Sequence, residues 1–209
     1  MRCRIVHEQA DKLVYEIRQI VILARKIEKA GVAMTWENIG DPVVKNEHVP
    51  VWIIEHLTDV ARKNRSWGYS PSKGMDATRD YLSLRHNARR KAKITPEDIY
   101  FYNGLGDAVS KLYGYLNRGA RVLCPSPSYS IHATHESFHA AGLPPLLYHL
   151  DPVNGWLPDP DEIRTLVARN KEVAGILLIN PDNPTGVVWP EELVRKVVAI
   201  AAEYGLFVI

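Results

Sequence analysis

The alternation of short β-rich runs with helical runs in the second half of this 209-residue sequence constrains the fold more than any other feature. Strands are predicted at residues 99–102, 121–124, 146–150 and 173–179, and helices at residues 107–117, 130–141, 159–168 and 190–204. The predicted strands are almost continuously apolar, which indicates that both of their faces are covered. The pattern therefore predicts an α/β fold with a mostly parallel sheet sandwiched by helices.

The amino-terminal part is predicted to be helical and rich in loops. Apolar residues recur at helical spacing over residues 11–30, and Gly31 can end that helix. Pro50 opens a second helix, and a polar third helix is predicted over residues 75–90. At the other end, the sequence LFVI follows Gly205 and predicts the beginning of a buried strand. Since a parallel sheet that stopped there would expose an unpaired edge, we expect the chain to be truncated.

Composition and charge exclude several classes of protein. A formal net charge of +2 is too small to indicate binding to nucleic acid or to a membrane surface. The basic run at residues 85–93 has acidic neighbours and no interleaved aromatic residues, so we interpret it as the solvated end of a helix. No apolar stretch approaches the roughly 20 residues that cross a bilayer. With only Cys3 and Cys124, no disulfide framework is expected, and we predict a soluble protein of the reducing cytoplasm.

The strongest motif is the heptapeptide NPDNPTG at residues 180–186, directly after the apolar run GILLI. In an α/β sheet, the loops at the carboxyl ends of the strands form the ligand-binding crevice. The two prolines make this loop rigid, and the amide of Asn183 can donate a hydrogen bond to a ligand oxygen. From the residues alone, a rigid turn that binds nothing is an equally good interpretation, because Pro, Asn and Gly all favour turns.

Two further segments could line the same crevice. The sequence NGLGDA includes Gly106 and Asp107 and lies between a predicted strand and a predicted helix, where backbone N–H groups favour a phosphate. A plain tight turn or part of a dinucleotide-binding loop also fits, although the complete GxGxxG pattern is absent. Tyr129 follows a predicted strand and could stack on a flat heteroaromatic ring. Without further information, a core tyrosine is the better interpretation of Tyr129.

The heptapeptide resembles the NPxNPTG signature of the class I/II aminotransferases, which are fold type I enzymes that use pyridoxal 5'-phosphate (PLP). The resemblance extends from about Tyr15 to the last residue, and the other segments occur in the family's order. It implies that Asn183 binds the phenolic oxygen of the cofactor and that Tyr129 stacks on its pyridine ring. It also implies that the amides of Gly106 and Asp107 bind the cofactor phosphate. The family more often has Ser or Thr and then a neutral residue at these two positions, so one hydroxyl contact is lost and the carboxylate must point away.

Two other resemblances concern the amino-terminal region. The segment YSPSKG is similar to the family's YxPxxG, whose tyrosine reaches the cofactor phosphate of the neighbouring subunit. This implies the same role for Tyr69 in a homodimer with shared active sites. Gly40 matches the glycine loop that lines the pocket for the substrate carboxylate. We assign residues 1–48 to an N-terminal helix and substrate-side segment of the small-domain and dimer region, and residues 49–209 to a large cofactor-binding domain that is incomplete at its carboxyl end.

The resemblance implies the transfer of an amino group between an amino acid and a 2-oxo acid. In the family, this reaction also needs a lysine that forms a Schiff base with the cofactor, a carboxylate at the ring nitrogen and an arginine for the substrate carboxylate. All of these are expected beyond Ile209, so we assign no catalytic residue and predict that the chain alone is inactive. Other reactions on the same fold, such as those of lyases and decarboxylases, are alternatives.

Two further alternatives come from other classes of protein. The segment HESFH has the HExxH pattern of zinc-dependent hydrolases, in which His135 and His139 would bind zinc and Glu136 would be the general base. Glu162 or Glu172 would then be the third ligand. Since the pattern arises readily by chance in a chain with eight histidines, we interpret the segment as a solvated, partly polar helix face. A non-enzymatic ligand sensor is ranked last, because the amino-terminal stretch is too short for an added DNA-binding segment.

Overall fold

A computed structural model describes residues 16–37, 40–140 and 142–209. Its helices are α1 (Glu16–Lys29), α2 (Val51–Ala61), α3 (Asp76–Arg89), α4 (Leu105–Tyr115), α5 (Ile131–His139), α6 (Pro160–Arg169) and α7 (Glu191–Tyr204). Short 3-10 helices occupy Asn64–Trp67 and Pro96–Asp98. The strands are β1 (Arg121–Ser126), β2 (Leu146–Asp151), β3 (Leu157–Pro158), β4 (Val173–Ile176) and β5 (Phe207–Val208). The predicted helices are thus confirmed, apart from the parts predicted over residues 11–15 and at Ala141, which lie outside the described residues.

The strands form one five-stranded sheet in the order β3-β2-β1-β4-β5. β1 pairs in parallel with β2 and with β4, and β4 pairs in parallel with β5. β3 runs antiparallel to β2. Since parallel neighbours need a crossover connection, α5 joins β1 to β2 and α7 joins β4 to β5. The predicted α/β class with a mostly parallel sheet is confirmed.

The two faces of the sheet pack against different helices. Successive residues of a strand point to opposite faces, and in β1 the side chain of Leu123 joins one apolar cluster while Val122 and Cys124 join the other. All three are fully buried. The first cluster includes residues of α6 and α7, and the second includes residues of α4. The sheet is therefore sandwiched by helices, as the continuous apolar pattern of its strands predicts.

Local sequence sets the ends of the helices on one face. Asp159 caps α6, because its Oδ1 accepts a hydrogen bond from the backbone N of Asp161 at 2.9 Å. Pro160, the first residue of α6, has no N–H group that would need an acceptor. The helix α7 begins after Pro190 and ends at Gly205, whose φ of +67° lies in the left-handed region that favours glycine.

The structure corrects the predicted sheet at three places. Residues 99–102 are predicted to form a strand, but they carry no strand and their aromatic side chains are exposed, because β-propensity alone does not supply a neighbouring strand. The two-residue β3 is not predicted. The LFVI segment is predicted to be buried, but both residues of β5 are exposed, since β5 lies at an edge of the sheet. The ring of Phe207 covers Gly175 of β4, where an added Cβ would lie 2.4 Å from the ring.

The chain divides into two compact units. The sheet belongs to the first unit, which comprises Gly104–Ile209 together with the described residues up to Ile27. The described residues of Glu28–Asn103 form the second unit. The boundary predicted after residue 48 stays a prediction.

Within the second unit, a buried arginine joins α3 to the segment that follows it. The guanidinium of Arg79 lies 2.5 Å from a carboxylate oxygen of Asp76 and 3.1 Å from one of Glu97. By contrast, α2 buries none of its residues.

No helix in the described part of the chain is long and apolar enough to cross a membrane.

Candidate cofactor-binding site

The candidate site lies at the carboxyl edge of the sheet in the first unit. β1 and β4 are parallel neighbours, so the segments that follow them leave the sheet at the same edge. Tyr129 follows β1, and Asn183 follows β4. The pairing extends one residue beyond β4, because the backbone N of Leu177 donates to the carbonyl oxygen of Leu123 at 2.9 Å. The topology thus brings two of the predicted site segments to one edge.

Hydrogen bonds within the chain hold the NPDNPTG loop in shape. The Oδ1 atom of Asn180 accepts a hydrogen bond from the backbone N of Trp189 at 3.0 Å. The backbone N of Asp182 donates to the carbonyl oxygen of Val187 at 2.9 Å, and the carbonyl oxygen of Asp182 accepts from the N of Gly186 at 2.8 Å. Since Trp189 is buried in the core, the far end of the loop is anchored there.

Burial differs sharply between two adjacent residues of this loop. Asp182 is only 3% exposed, whereas Asn183 is exposed. The Oδ2 atom of Asp182 accepts hydrogen bonds from Oγ1 of Thr185 at 2.6 Å and from the backbone N of Thr185 at 3.3 Å. The loop therefore presents the amide of Asn183 at the surface, which the role predicted for it requires.

A glycine turn precedes α4 in the same unit. Gly104 has a φ of +83°, in the left-handed region, and its carbonyl oxygen accepts a hydrogen bond from the N of Ala108 at 3.3 Å. The backbone N–H groups in the first turn of a helix point outward from its amino end, and in α4 they belong to Leu105, Gly106 and Asp107. These groups and the helix dipole, equivalent to roughly half a positive charge, favour an anion at this helix start.

Gly106 is packed against the segment that carries Tyr129. A Cβ atom added at Gly106 would lie 3.3 Å from Cδ1 of Ile131, which is closer than most van der Waals contacts. Ile131 lies two residues after Tyr129, which is itself half-buried. This contact brings the glycine turn and the tyrosine segment together, and a side chain at position 106 would require Ile131 to shift by a few tenths of an ångström.

Tyr69 and Gly40 belong to the second unit. The side chain of Tyr69 is fully exposed. The turn that follows it ends at Gly74, which has a φ of +100°, and the ring of Phe101 would lie 2.2 Å from a Cβ added there. Gly40 is exposed, and a Cβ added at this glycine would have no heavy atom of the described residues within 4 Å. The roles predicted for Tyr69 and Gly40 stay predictions.

The HExxH segment on α5 is not a solvated helix face, so that interpretation is wrong. Glu136 is fully buried, and its carboxylate accepts two hydrogen bonds from Arg121, from Nε at 2.5 Å and from Nη2 at 2.9 Å. The Nε2 atom of His139 lies 3.1 Å from the carbonyl oxygen of Ala120. The described residues contain no group of three or more His, Cys, Asp or Glu side chains that could hold a metal ion. Glu136 therefore neutralises a buried cation.

Two buried polar residues lie next to predicted site residues, and the sequence alone assigns a role to neither. His132 lies three residues after Tyr129, is 6% exposed, and has no hydrogen-bond partner for Nδ1 among the described residues. Burial, with a smaller contribution from His135, lowers the pKa of His132 to about 4, so the imidazole is neutral at neutral pH. His132 lies one helical turn before His135 on α5, and this spacing is the sequence signal that could have marked it. Asp182 occupies the position that the family signature leaves unspecified, and no sequence signal marks it.

Comparison with known proteins gives a consistent assignment. Residues 36–209 match the family described as aminotransferase class I and II. The chain is 49% identical over 209 residues to the uncharacterized aminotransferase MJ1479 of Methanocaldococcus jannaschii, covering 100% of this chain and 48% of that protein. It is 32% identical over 201 residues to the glutamate-pyruvate aminotransferase AlaA of Escherichia coli strain K12, covering 95% of this chain and 48% of AlaA.

A solved structure has the same fold as this chain. The alanine aminotransferase from Pyrococcus furiosus superposes with a TM-score of 0.85 at 29% identity, over 97% of this chain and 51% of that one. The chain spans about half the length of the curated relatives it matches. The matched residues include the glycine turn, the Tyr129 segment and the NPDNPTG loop. The chain therefore belongs to the class I and II aminotransferases, with the fold type I architecture of that family.

Proposed function

We propose that this chain is part of a longer protein that transfers an amino group between an amino acid and a 2-oxo acid, with PLP as its cofactor. The observation that carries the proposal is the NPDNPTG loop, which is held by the hydrogen bond from Thr185 to Asp182. This loop presents Asn183 at the edge of the sheet where the Tyr129 segment also emerges. Family membership supports the same class of reaction. Because one relative is a glutamate-pyruvate aminotransferase and another an alanine aminotransferase, we infer that small 2-oxo acids and their amino acids are the first substrates to test.

The residues present fit a phosphorylated pyridine ring. The start of α4 offers backbone N–H groups at Gly106 and Asp107, where a phosphate also gains from the helix dipole. The ring of Tyr129 can stack on the pyridine, an arrangement worth about 0.5–1.5 kcal/mol beyond the area it buries. The amide of Asn183 can donate to the phenolic oxygen. The carboxylate of Asp107 has to be directed away from the phosphate for this assignment.

When bound, PLP supplies a ring that accepts the electron pair left when the substrate's α C–H bond breaks. The residues of this chain orient that ring and tune its charge. A donor at Asn183 stabilises negative charge on the phenolic oxygen, and Tyr129 holds the plane of the ring in place. The side chains that move protons at the α carbon are expected elsewhere in the longer protein, so we propose that these 209 residues alone are inactive.

The proposal includes a homodimer of the cytoplasm. The fully exposed Tyr69, which precedes the turn covered by Phe101, suits a contact with the cofactor phosphate of a neighbouring subunit. Cys124 is a buried free thiol, and burial raises its pKa to about 12. An unreactive free thiol of this kind is compatible with a reducing compartment.

An assay of two forms tests the proposed function. The full-length protein and the 209-residue chain are each purified with PLP, and formation of the 2-oxo acid is followed with glutamate and pyruvate and then with other amino acids. We expect cofactor-dependent transfer by the full-length protein and none by the chain alone. Transfer by the chain alone would contradict its predicted inactivity. A full-length protein that binds PLP but only eliminates or decarboxylates would contradict the reaction class, and zinc-dependent hydrolysis would support the rival hydrolase.

A further inference from the structure

The proposed function assigns no role of its own to the buried side chain of Asp182. It is the buried residue of a loop whose other members are exposed or half-buried, and Pro181 and Asn183 on either side are exposed. Burying a carboxylate is unfavourable unless hydrogen bonds satisfy it. Its Oδ2 atom is satisfied, but no donor among the described residues reaches Oδ1. A buried carboxylate with one unsatisfied oxygen atom calls for a physical explanation.

The contacts of Asp182 close the loop around Asn183. The Oγ1 atom of Thr185 donates to Oδ2 of Asp182 at 2.6 Å and accepts a hydrogen bond from the backbone N of Val187 at 3.4 Å. The backbone N of Asp182 donates to the carbonyl oxygen of Val187 at 2.9 Å. Side-chain and backbone hydrogen bonds therefore join the same two ends of the loop.

The direction of the Asn183 amide depends on this closure. Within the described part of the chain, no hydrogen bond holds the exposed Asn183 side chain, so the backbone sets only the point from which that side chain extends. Asp182 is the residue immediately before it and is fixed on three sides by Thr185, Val187 and Gly186. A donor whose backbone is already held in place binds its acceptor with less loss of conformational entropy, because only its side chain has to be ordered.

We propose that Asp182 is a positioning residue, which fixes through Thr185 the backbone position from which the side chain of Asn183 donates to the phenolic oxygen of the cofactor. This inference rests on the proposed function, because it concerns the contact of Asn183 with PLP. A donor at the phenolic oxygen stabilises the deprotonated form of the bound cofactor, so a misdirected donor raises the pH at which the cofactor loses its proton.

The experiment is a double-mutant cycle in the full-length protein, read by the absorbance of bound PLP as the pH is varied. Asn183→Ala is expected to raise the midpoint by about one pH unit, and Asp182→Ala by roughly half as much. If Asp182 acts through Asn183, adding Asp182→Ala to Asn183→Ala causes no further shift. Asp182→Asn keeps an oxygen that can accept from Thr185, so it is expected to restore most of the wild-type midpoint.

A matched control and a cofactor-free measurement accompany the cycle. Asp159→Ala removes a similar hydrogen bond from a carboxylate to a backbone N at the start of α6, and it is expected to leave the midpoint unchanged. In the cofactor-free protein, the amide proton of Gly186 is expected to exchange roughly fivefold faster in Asp182→Ala than in the wild type. If Asp182→Ala does not fold, Thr185→Val removes the same hydrogen bond between the two side chains and is expected to shift the midpoint in the same direction.

The outcomes separate the two proposals. A midpoint that moves with Asn183→Ala but not with Asp182→Ala or Thr185→Val overturns the role of Asp182 and leaves the proposed function intact. Additive shifts in the cycle overturn it as well, because they show an effect that does not pass through Asn183. A midpoint that does not move with Asn183→Ala overturns the contact of Asn183 with the phenolic oxygen, and the inference on Asp182 is overturned with it.

Discussion

Helix α5 and the NPDNPTG loop both carry a polar motif, but the structure uses the two motifs in opposite ways. In α5, the polar groups of Glu136 and His132 are turned into the protein. In the loop, Asp182 is turned inward and the adjacent Asn183 is left at the surface. In the loop, a buried side chain thus holds the backbone next to an exposed one, which leaves the amide of Asn183 available to a ligand. In α5, the fully buried Glu136 is paired with Arg121, so this part of the motif has a structural role.

Replacement of Glu136 by Gln is expected to have the largest effect on stability. It leaves the guanidinium of Arg121, which is 4% exposed, without its carboxylate partner. Removing one partner of a buried ion pair destabilises a protein by about 3–5 kcal/mol. The free energy of unfolding of the full-length protein, measured in urea, checks this. Glu203→Gln breaks the ion pair with Arg164 at the surface and serves as the control, with a much smaller loss expected. Equal losses in the two variants would contradict a structural role for Glu136.

The buried ion pair of Arg121 and Glu136 also shows what local sequence patterns cannot predict. The strand around Leu123 is predictable because a continuous apolar run reports burial on both faces. The burial of Glu136 is not predictable in the same way, because its partner Arg121 lies 15 residues earlier on another element. A polar pattern on a helix suggests exposure, and only a contact between distant residues reverses that interpretation. The candidate site residues Asn183 and Tyr129 are predicted through a family signature, which carries long-range information that local patterns lack.

The free energy of unfolding is expected to depend on pH through His132 of α5. Burial lowers the pKa of His132 to about 4 from its ordinary value of 6.5, so between these values the unfolded chain binds more protons than the folded protein. Stability is therefore lost as the pH falls through this range, by about 2 kcal/mol between about pH 7 and pH 5. His132→Gln is expected to remove this part of the slope in urea unfolding at several pH values. Burial also lowers the pKa of His135, which contributes in both proteins, so the difference isolates His132. If the free energy of unfolding changes with pH in the same way in the wild type and in His132→Gln, His132 is not a neutral, buried histidine.

Loss of one hydrogen bond in the NPDNPTG loop is expected to have a smaller effect on the free energy of unfolding. Asn180→Ala removes the oxygen that accepts from the backbone N of Trp189, a residue that is 2% exposed. An unpaired N–H next to the core is expected to reduce the free energy of unfolding by about 1–2 kcal/mol. Asp151→Ala removes a comparable acceptor from the N of Val153 in an exposed turn, where water can replace it, and is expected to have less effect. If the two variants lose the same stability, the loop is not anchored through Trp189 as described.

Asn183→Ala should change stability least and therefore gives the sharpest contrast with Glu136→Gln. The side chain of Asn183 is exposed and no hydrogen bond to a described residue holds it, so the free energy of unfolding of the cofactor-free protein should change by less than about 0.5 kcal/mol. The affinity for PLP should nevertheless fall roughly tenfold, because a hydrogen bond to a charged oxygen is lost. Unfolding in urea and a fluorescence titration with PLP measure the two quantities on the same preparation. A large loss of stability in Asn183→Ala would mean that this residue supports the loop itself, and the distinction between a buried, structural Asp182 and an exposed Asn183 with no structural role would then be wrong.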